Sequence, residues 1–170
     1  RVTGDCPLVD PSIINSVLKK FKENDFDYIS TTIEYRNGRW VDSSCNFPPG
    51  LAVEIAKFSA LEQAWMEAKK PSEIEHVFPY VQFNPDKFKL DNFVNSTDFS
   101  NIRCTVDHPE DLIFVKEIYH RMPKEKQFVT LNDIVSITEK NPELLTINNL
   151  HAFDEGIQKS YKEDKEKGYS

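Results

Sequence analysis

The sequence lacks a block of basic residues, and this absence argues against a nucleic-acid partner. Its 170 residues include 21 Lys and Arg and 28 Asp and Glu, which gives a formal net charge of −7. Binding to a nucleic-acid duplex needs clustered cations that neutralise phosphates. The sequence also lacks a secretory hydrophobic region and any apolar run of membrane-spanning length. We therefore expect a cytoplasmic protein with neither a nucleic acid nor a membrane as partner.

The cysteines lack any pattern that would indicate a disulfide framework or a zinc site. The sequence has three of them, Cys6, Cys45 and Cys104, which are far apart and include no CxxC pair. Neither the odd number nor the spacing matches a zinc-ligand motif. We expect free thiols in a reducing compartment.

The sequence contains enough apolar residues to form the core of one folded domain. Hydrophobic residues make up 39% of the chain and aromatic residues 12%. A chain of this length and composition can bury a sizeable core. We expect residues 1–170 to form a single domain, with a charged tail at 157–170 that is frayed.

Segments typical of helices and strands alternate along the chain. A polar cap followed by proline predicts helices that begin at Pro11 and Pro109. Alternating apolar residues predict strands, which lie at 26–31, 50–58, 87–94 and 101–107. This order favours an α/β fold in which helices flank a mostly parallel sheet.

Apolar spacing also predicts local details of two helices. The helix from Pro109 is expected to bury a stripe made of Leu112, Val115, Tyr119 and Met122. Another helix is expected to run from Ser72 through Pro79 without a break. Both predictions rest on the periodicity of large apolar side chains.

One stretch, residues 33–49, is polar and irregular. Within it, Asn37-Gly38 predicts a hairpin tip between Tyr35 and Trp40. The sequence shows no internal repeat and no linker.

Two aspartates are candidates for metal binding because each follows a strand-like segment and precedes a proline. Asp5 lies in the run GDCP, and Asp107 lies in the run DHP. In open α/β sheets, ligands bind beyond the carboxyl ends of the strands. Two carboxylates at such an edge suit Mg²⁺, which fills the rest of its shell with phosphate oxygens and water. On the sequence alone, an ordinary helix cap remains an alternative for Asp107.

Small and charged residues are candidates for binding an anionic substrate beside that metal. Gly4 permits a close approach of the backbone to a phosphate. Arg1 and Arg103 supply cations, although a surface ion pair is an equal alternative for Arg103. Glu54 belongs to the strand face that we assign to the crevice, and an exposed sheet position is its alternative.

Glu75 and His76 are adjacent charged residues in an otherwise apolar helix. His76 is a candidate to hydrogen bond a bound substrate. A core histidine with satisfied hydrogen bonds is the commoner fate of such a residue, and this alternative stays open.

Four motifs occur in the order found in a known family. They are RVTGDCPLVDP, GLAVEIAKFSALEQAW, SEIEHVFPYV and TVDHPEDL. Over nearly the whole chain, the sequence resembles the cytidylyltransferases that act on 3-deoxy-manno-octulosonate and acylneuraminate. Within that family it is most similar to the branch of spore-coat polysaccharide biosynthesis proteins.

The resemblance implies a Rossmann-like nucleotide-diphospho-sugar transferase sandwich, of which this chain covers the C-terminal two-thirds. The family joins CTP to a sugar acid, giving a CMP-sugar for surface polysaccharides and pyrophosphate. By matching motifs, Asp5 and Asp107 are implied to be the catalytic carboxylates that hold Mg²⁺. A homodimer that pairs through residues 33–83 is also implied.

Two departures from the family pattern keep other functions open. The family begins with a phosphate-cradling loop of the type RxxSxRLPGK, which does not occur here, so we expect the chain to be a fragment that does not catalyse alone. The branch often has GLDVE where this chain has GLAVE, so Ala52 replaces a carboxylate and indicates an altered acceptor. The alternatives are a nucleotidyltransferase for another nucleotide or sugar, and a non-catalytic, truncated or degenerate dimerising domain.

Overall fold

The computed structural model describes residues 1–32, 34–36, 39–41, 45–151 and 155–169, with the backbone alone described at 34–36 and 39–41. Within these ranges the helices are α1 (Pro11–Glu23), α2 (Phe58–Glu67), α3 (Pro71–His76), α4 (Pro79–Gln82), α5 (Pro109–Arg121), α6 (Leu131–Lys140) and α7 (Glu155–Glu166). The strands are β1 (Tyr28–Ser30), β2 (Glu34–Arg36), β3 (Arg39–Val41), β4 (Glu54–Ala56) and β5 (Leu90–Asn92), and a 3₁₀ helix covers Pro142–Thr146. None of the helices in the described ranges is both long and apolar enough to cross a lipid bilayer.

The central sheet is small and mixed, which corrects the mostly parallel sheet expected from the sequence. Its described part has three strands in the order β4-β1-β5. Ile29 of β1 lies opposite Asp91 in a parallel pairing with β5, and opposite Ile55 in an antiparallel pairing with β4. The chain passes from β1 to β4 through the β2–β3 hairpin, without the helical crossover that usually joins parallel neighbours. The α/β class itself is confirmed.

The strands β2 and β3 form the hairpin predicted in the irregular stretch. Tyr35 pairs with Trp40 in an antiparallel register. The predicted tip, Asn37 and Gly38, lies outside the described residues.

The strand predicted at 101–107 is wrong: these residues, all of them described, belong to neither sheet. The segment is mostly buried and hydrogen bonds to two different loops. The N–H of Cys104 donates to the carbonyl of Pro49 at 2.6 Å, and the N–H of Val106 donates to the carbonyl of Asp5 at 2.8 Å. Single bonds to two loops do not make the repeated ladder that defines a strand pair.

The buried Asp10 holds the starts of two helices together. Its Oδ1 accepts from the backbone N–H of Ser12 at 2.7 Å, which caps α1 as the sequence predicted. Its Oδ2 accepts from the backbone N–H of Leu131, the first residue of α6, at 2.8 Å. One carboxylate therefore satisfies donors at both helix N-termini.

Helix α5 begins where the sequence predicted but buries only part of the predicted stripe, since Val115 is buried and Met122 is half-buried. Leu112 and Tyr119 are 44% and 45% exposed, whereas Phe114 and Ile118 are buried. The carboxylate of Asp111 in the first turn is also fully buried. Because residues on a helix share a face at intervals of three and four, a buried Asp111 brings Phe114 and Ile118 inward.

The single helix expected from Ser72 through Pro79 is two helices, α3 and α4. Val77 lies between them with φ of +75°, which ends α3. Pro79 becomes the first residue of α4, since proline has no N–H to continue a preceding helix.

Apolar side chains form two clusters, and β1 contributes to both. Tyr28 packs with Ala60, Ala64, Phe78, Tyr80, Val81 and Phe88 in the smaller cluster. Ile29 packs in the larger one, whose members include Leu8, Val17, Leu51, Phe114, Ile118 and Ile134. Successive residues of a strand point to opposite faces, so this short strand joins the two clusters.

The charged tail, expected to be frayed from residue 157, is instead helical to Glu166 and packs on α3. The backbone N–H of Ser72 donates to Oδ1 of Asp164 at 3.1 Å, and the Ser72 hydroxyl donates to Oδ2. Ser160 and Asp164 are buried in this contact. Polar anchors of this kind are invisible to an apolar periodicity, which is why the composition suggested a solvated tail.

Candidate functional site

The loops that carry Asp5 and Asp107 are hydrogen-bonded to each other. The carbonyl oxygen of Asp5 accepts from the backbone N–H of Val106 at 2.8 Å and from the hydroxyl of Thr105 at 3.3 Å. Both aspartates are exposed. The two residues predicted to hold a metal therefore lie on adjacent segments, and we call this region the aspartate edge.

The Cys6 thiol lies close to both carboxylates. Burial raises the pKa of this thiol most, and the negative charges of Asp5 and Asp107 raise it further. Hydrogen bonds from the Thr3 side chain and the Ala52 backbone act in the opposite direction. The thiol also lies 3.9 Å from Oδ1 of Asp5. The charges of both aspartates thus act on the same thiol, and the Ala52 backbone hydrogen bonds to it.

Arg103 fixes the orientation of Asp107. Its Nη2 donates to Oδ2 of Asp107 at 2.7 Å, and its Nε donates to Oδ1 of Asp111 at 2.8 Å. Arg103 is 8% exposed, so this is a buried pair, not the surface ion pair considered from the sequence. Because both carboxylates engage its guanidinium, Arg103 acts here as a positioning residue for the aspartate edge.

Asp111 anchors the other side of the Arg103 guanidinium, and no sequence motif had marked it as a site residue. Burial alone would raise the pKa of this carboxyl, but hydrogen bonds from Arg103 and Asn148 outweigh it. The backbone N–H groups of Asp107 and His108 also donate to it, at 3.0 and 2.9 Å. Together these donors hold the pKa of Asp111 well below its usual range.

Gly50 shapes the loop behind the aspartate edge, and the sequence analysis did not single it out. Its φ is +94°, and an added Cβ would lie 2.3 Å from the Thr105 nitrogen and 2.4 Å from the Cys104 carbonyl carbon. No side chain fits at that distance. The available signal was the run PPG, since glycine after proline is typical of a turn that needs a positive φ.

Glu54 is buried, which corrects the exposed position considered for it, and it lies in a separate polar network. Its Oε1 accepts from the Tyr28 hydroxyl at 2.6 Å, and its Oε2 accepts from Nη1 of Arg1 at 2.6 Å. Burial and the Glu54 charge raise the pKa of Tyr28, so the hydroxyl remains a donor. Gln82 completes the network by donating to the Tyr28 oxygen at 2.7 Å.

Glu75 and His76 hydrogen bond the C-terminal helix. Nε2 of His76 lies 3.0 Å from the Ser160 hydroxyl, which donates to Oε2 of Glu75 at 3.0 Å. Glu75 is exposed and His76 is half-buried. The observed contacts of both residues serve the packing of α7, and their substrate-binding role stays a prediction.

Gly4 lies in an exposed turn beside Asp5. An added Cβ would meet nothing within 4 Å. The described fold therefore does not itself require glycine here, and the predicted phosphate contact of Gly4 stays a prediction.

A groove of about 270 Å³ opens between the starts of α1 and α6. Its lining includes Asp10, Phe47 and Thr130, and none of the predicted site residues. The Asp10 carboxylate already satisfies both helix starts there, so the groove gives no argument for a second ligand.

The aspartate edge fits a magnesium ion in the chemistry of its donors. Asp5 and Asp107 offer exposed carboxylate oxygens on hydrogen-bonded loops. Mg²⁺ binds one or two protein carboxylates and keeps water or substrate phosphates as its other ligands. The neighbouring Cys6 thiol is a poor ligand for this ion, because Mg²⁺ favours oxygen donors over sulfur.

Known proteins resemble the chain over most of its length. It is 31% identical over 171 residues to the uncharacterized protein MJ1063 of Methanocaldococcus jannaschii, a match that covers 98% of this chain and 61% of that protein. It is 24% identical over 150 residues to the spore coat polysaccharide biosynthesis protein SpsF of Bacillus subtilis, covering 86% and 56%. No protein-family model matches the chain.

A solved structure shares the fold. It is a cytidylyltransferase from Leptospira borgpetersenii serovar Hardjo-bovis, with a TM-score of 0.69 and 31% sequence identity. The match covers 85% of this chain and 57% of that one. The chain thus spans between half and two thirds of the length of each of these relatives.

Proposed function

Because the chain is related in sequence and fold to the cytidylyltransferases, we propose that it forms the acceptor half of a nucleotidyltransferase. The proposed reaction joins CTP to a sugar acid and yields a CMP-sugar and pyrophosphate. The similarity to a spore coat polysaccharide biosynthesis protein supports a product used for surface polysaccharides. Since the chain spans 61% or less of each relative's length, the activity is proposed for the whole protein.

The observation that carries the proposal is the aspartate edge. Two exposed carboxylates, Asp5 and Asp107, lie on loops joined by a backbone hydrogen bond of 2.8 Å. Both lie close enough to raise the pKa of one thiol, that of Cys6. A chain of net charge −7 that binds two anionic substrates needs a cation at the point where they meet.

In the proposed mechanism, Asp5 and Asp107 hold Mg²⁺ between them. When bound, the ion offsets the charge of the CTP phosphates and favours ionisation of the attacking sugar hydroxyl. The chain's own contribution is positioning, which is the main catalytic device of phosphoryl transfer. Arg103 fixes Asp107, and Asp111 fixes Arg103, so the metal-binding carboxylate is oriented before substrates arrive.

The predicted substrate contacts divide into two groups by their present partners. Arg1 and Glu54, the first residue of β4, form an ion pair at 2.6 Å. When the sugar acid binds, the Arg1 guanidinium would pair with the sugar carboxylate instead, and the Glu54 carboxylate would accept from a sugar hydroxyl. Glu75 and His76 meet Ser160 of α7 instead. We propose that Arg1 and Glu54 bind the sugar and that Gly4 approaches a phosphate, whereas the α3 pair has the packing of α7 as its observed role.

A coupled assay of pyrophosphate release tests this function. The whole protein is expected to release pyrophosphate from CTP in the presence of Mg²⁺ and a sugar acid, and Asp107→Asn is expected to abolish the release. Asp86→Asn, an exposed aspartate away from the edge, is the matched control and should keep full activity. Full activity in Asp107→Asn would contradict the mechanism.

The same assay decides between nucleotides. Turnover with UTP, ATP or GTP in preference to CTP would support the alternative of a nucleotidyltransferase for another substrate. Absence of turnover with every nucleotide and sugar acid offered, in a protein that is folded, would support the non-catalytic alternative.

An exposed apolar face on α2 favours the proposed homodimer. Phe58, Trp65 and Met66 are 76%, 82% and 64% exposed, and they lie on one face of the helix. Clustered large apolar side chains of this kind mark interaction surfaces. Trp65→Ser is expected to shift the sedimentation of the protein from dimer to monomer. Leu150→Ser, which removes an apolar side chain that is 91% exposed elsewhere, should leave it unchanged.

A further inference from the structure

Three potential metal ligands converge next to the aspartate edge but outside it. One donor atom each from His108, His151 and Glu155 lies within 4.8 Å of the other two. His108 is the N-cap of α5, His151 precedes α7, and Glu155 is the first residue of α7. The chain therefore brings the starts of two helices, α5 and α7, to one point. The sequence analysis missed the cluster because its members have no zinc-motif spacing.

The two imidazoles are packed against each other and flanked by carboxylates. The ring centroids of His108 and His151 are 3.7 Å apart with planes 12° from parallel. Oε2 of Glu155 lies 3.5 Å from Nε2 of His108, and Oε2 of Glu110 lies 3.3 Å from Nε2 of His151. Both histidines are half-buried. The cluster is thus ordered by its own contacts and remains reachable from solvent.

The donor types differ from those of the aspartate edge. Imidazole nitrogen favours zinc and other divalent transition metals, whereas Mg²⁺ favours oxygen ligands. Two histidines and one carboxylate, with water in the fourth position, form a common tetrahedral zinc set. A carboxylate hydrogen-bonded to a ligating histidine, as Glu110 is to His151, is the usual outer support of such a site.

We propose that His108, His151 and Glu155 bind one divalent transition-metal ion, with Zn²⁺ as the expected occupant. Tetrahedral zinc ligands lie about 3.3 Å from each other, so donor atoms that lie within 4.8 Å need to approach by at most about 1.5 Å. Rotation of the exposed Glu155 and of the two stacked rings supplies that movement. The alternative is that the cluster binds no metal and that its histidines only pair with Glu155 and Glu110.

A bound ion would attach the start of α7 to the start of α5. The far end of α7 is already held by the contact of Asp164 with Ser72. The metal would give the helix a second anchor next to Asp107, which carries the proposed magnesium ligand. The proposal does not depend on the cytidylyltransferase reaction, because the donors and the metal class differ.

A titration of the full chain with Zn²⁺, in competition with a chromophoric chelator, tests the site. We expect one ion per chain, and His151→Gln is expected to weaken binding by at least roughly tenfold, the smaller loss seen even for outer-shell partners. His120→Gln is the matched control, since this exposed histidine lies on the same helix as the His108 cap and contacts only Lys116 among its observed partners. Equal affinity in the parent chain and in His151→Gln would overturn the proposal and assign the zinc to other groups, such as the cysteines.

Co²⁺ absorption and hydrogen exchange separate binding from folding. Co²⁺ in the parent chain is expected to give the intense visible bands of a tetrahedral ion, and Glu155→Gln is expected to weaken them. Zn²⁺ should slow amide exchange at the start of α7 in the parent chain and not in His151→Gln. Asp107→Asn should retain zinc binding, so loss of pyrophosphate release in that variant leaves the zinc result intact. Unchanged exchange upon zinc saturation would contradict the proposed anchor.

Discussion

The start of α5 and the contact between α3 and α7 each contain a buried carboxylate, but the two carboxylates are held differently. Asp111 is 0% exposed and accepts from the Arg103 guanidinium, the Asn148 amide and two backbone N–H groups. Asp164 is 5% exposed, and its observed donors are the backbone and hydroxyl of Ser72. Asp111 thus forms an ion pair with an arginine and binds donors from four residues, whereas Asp164 binds the donors of one residue, Ser72.

The difference indicates which part of the molecule can open. The donors of Asp111 come from its own helix, the preceding loop and the segment after the 3₁₀ helix, so the aspartate edge is fixed from several directions. Helix α7 packs closely on α3, with Ser160 and Asp164 as its buried polar anchors, and the large apolar cluster contains none of the described residues of α7. Regions with few buried apolar contacts unfold locally at low free-energy cost. We therefore expect a rigid metal edge and a detachable C-terminal helix.

The largest effect is expected from Gly50→Ala, which strikes the loop behind the aspartate edge. A Cβ would collide with backbone atoms of Cys104 and Thr105, in a residue whose φ is already +94°. We expect a loss of more than about 4 kcal/mol in the free energy of unfolding, because backbone cannot move aside as a side chain can. Urea denaturation followed by circular dichroism measures it.

Gly168→Ala is the control that isolates the collision. Gly168 also has a positive φ, +83°, but nothing lies within 4 Å of its added Cβ. The strain alone is expected to cost about 1–2 kcal/mol. Similar losses of unfolding free energy in the two variants would show that the close approach of Gly50 to the 104–105 backbone does not determine the cost of the substitution.

The second effect is expected from Asp111→Asn, which leaves Arg103 buried without its principal partner. Removing one member of a buried ion pair costs about 3 kcal/mol or more, since the remaining charge stays desolvated. The measurement is again denaturant unfolding, at pH 7. A variant as stable as the parent chain would show that the Asp111 network does not anchor the edge.

The pH dependence of stability follows from the same carboxyl. Its pKa is lower in the folded chain than its ordinary value of 3.8. The stabilisation is therefore fully present above pH 3.8 and is lost as the pH falls below that value toward the folded pKa. We expect the unfolding free energy of the parent chain to fall with acid more steeply than that of Asp111→Asn. Parallel curves would remove Asp111 as the cause.

A smaller, local effect is expected from Asp164→Ala. The buried N–H and hydroxyl of Ser72 lose their acceptor, which costs about 2 kcal/mol for hydrogen bonds to a charged group. Hydrogen exchange should accelerate in α7 while the amides of α5 keep their protection. Acceleration of both helices to the same extent would mean that the two regions unfold together.

The smallest effect is expected from His76→Gln. The bond between its Nε2 and the Ser160 hydroxyl is one neutral hydrogen bond, and its loss is expected to cost about 1 kcal/mol or less. If this contact is the whole role of the residue, the KM for the sugar acid stays unchanged in the whole protein. A raised KM with unchanged stability would restore His76 to the substrate site.

The sequence predicted those parts of the fold that are decided by neighbouring residues. The starts of α1 and α5 follow from a polar cap before proline, a signal contained in a few adjacent positions. The inner face of α5 does not follow from neighbouring residues. Arg103, which lies on another segment, binds Asp111 in the core, and this contact fixes the rotation of the helix. Strand direction was likewise set by the route between β1 and β4, which alternation cannot reveal.

The candidate site shows the same division. Asp5 and Asp107 were singled out as strand-end residues; neither follows a strand in the structure, but the structure does place their loops in contact. The burial of Glu54 was not predictable, because Tyr28 and Arg1 contact it only in the folded chain. The histidine cluster required the start of α5 to meet the start of α7, about 45 residues later in the chain, so no local spacing could indicate all three of its members.

The most direct test of the account is binding of Mn²⁺, a spectroscopic substitute for Mg²⁺, at the aspartate edge. The titration follows the electron paramagnetic resonance signal of free Mn²⁺ in a His151→Gln background, which removes the neighbouring imidazole site. We predict one ion bound, with affinity reduced at least roughly tenfold in both Asp5→Asn and Asp107→Asn, as befits the loss of a direct ligand. Equal Mn²⁺ affinity in all three proteins would contradict the claim that these two carboxylates share a metal.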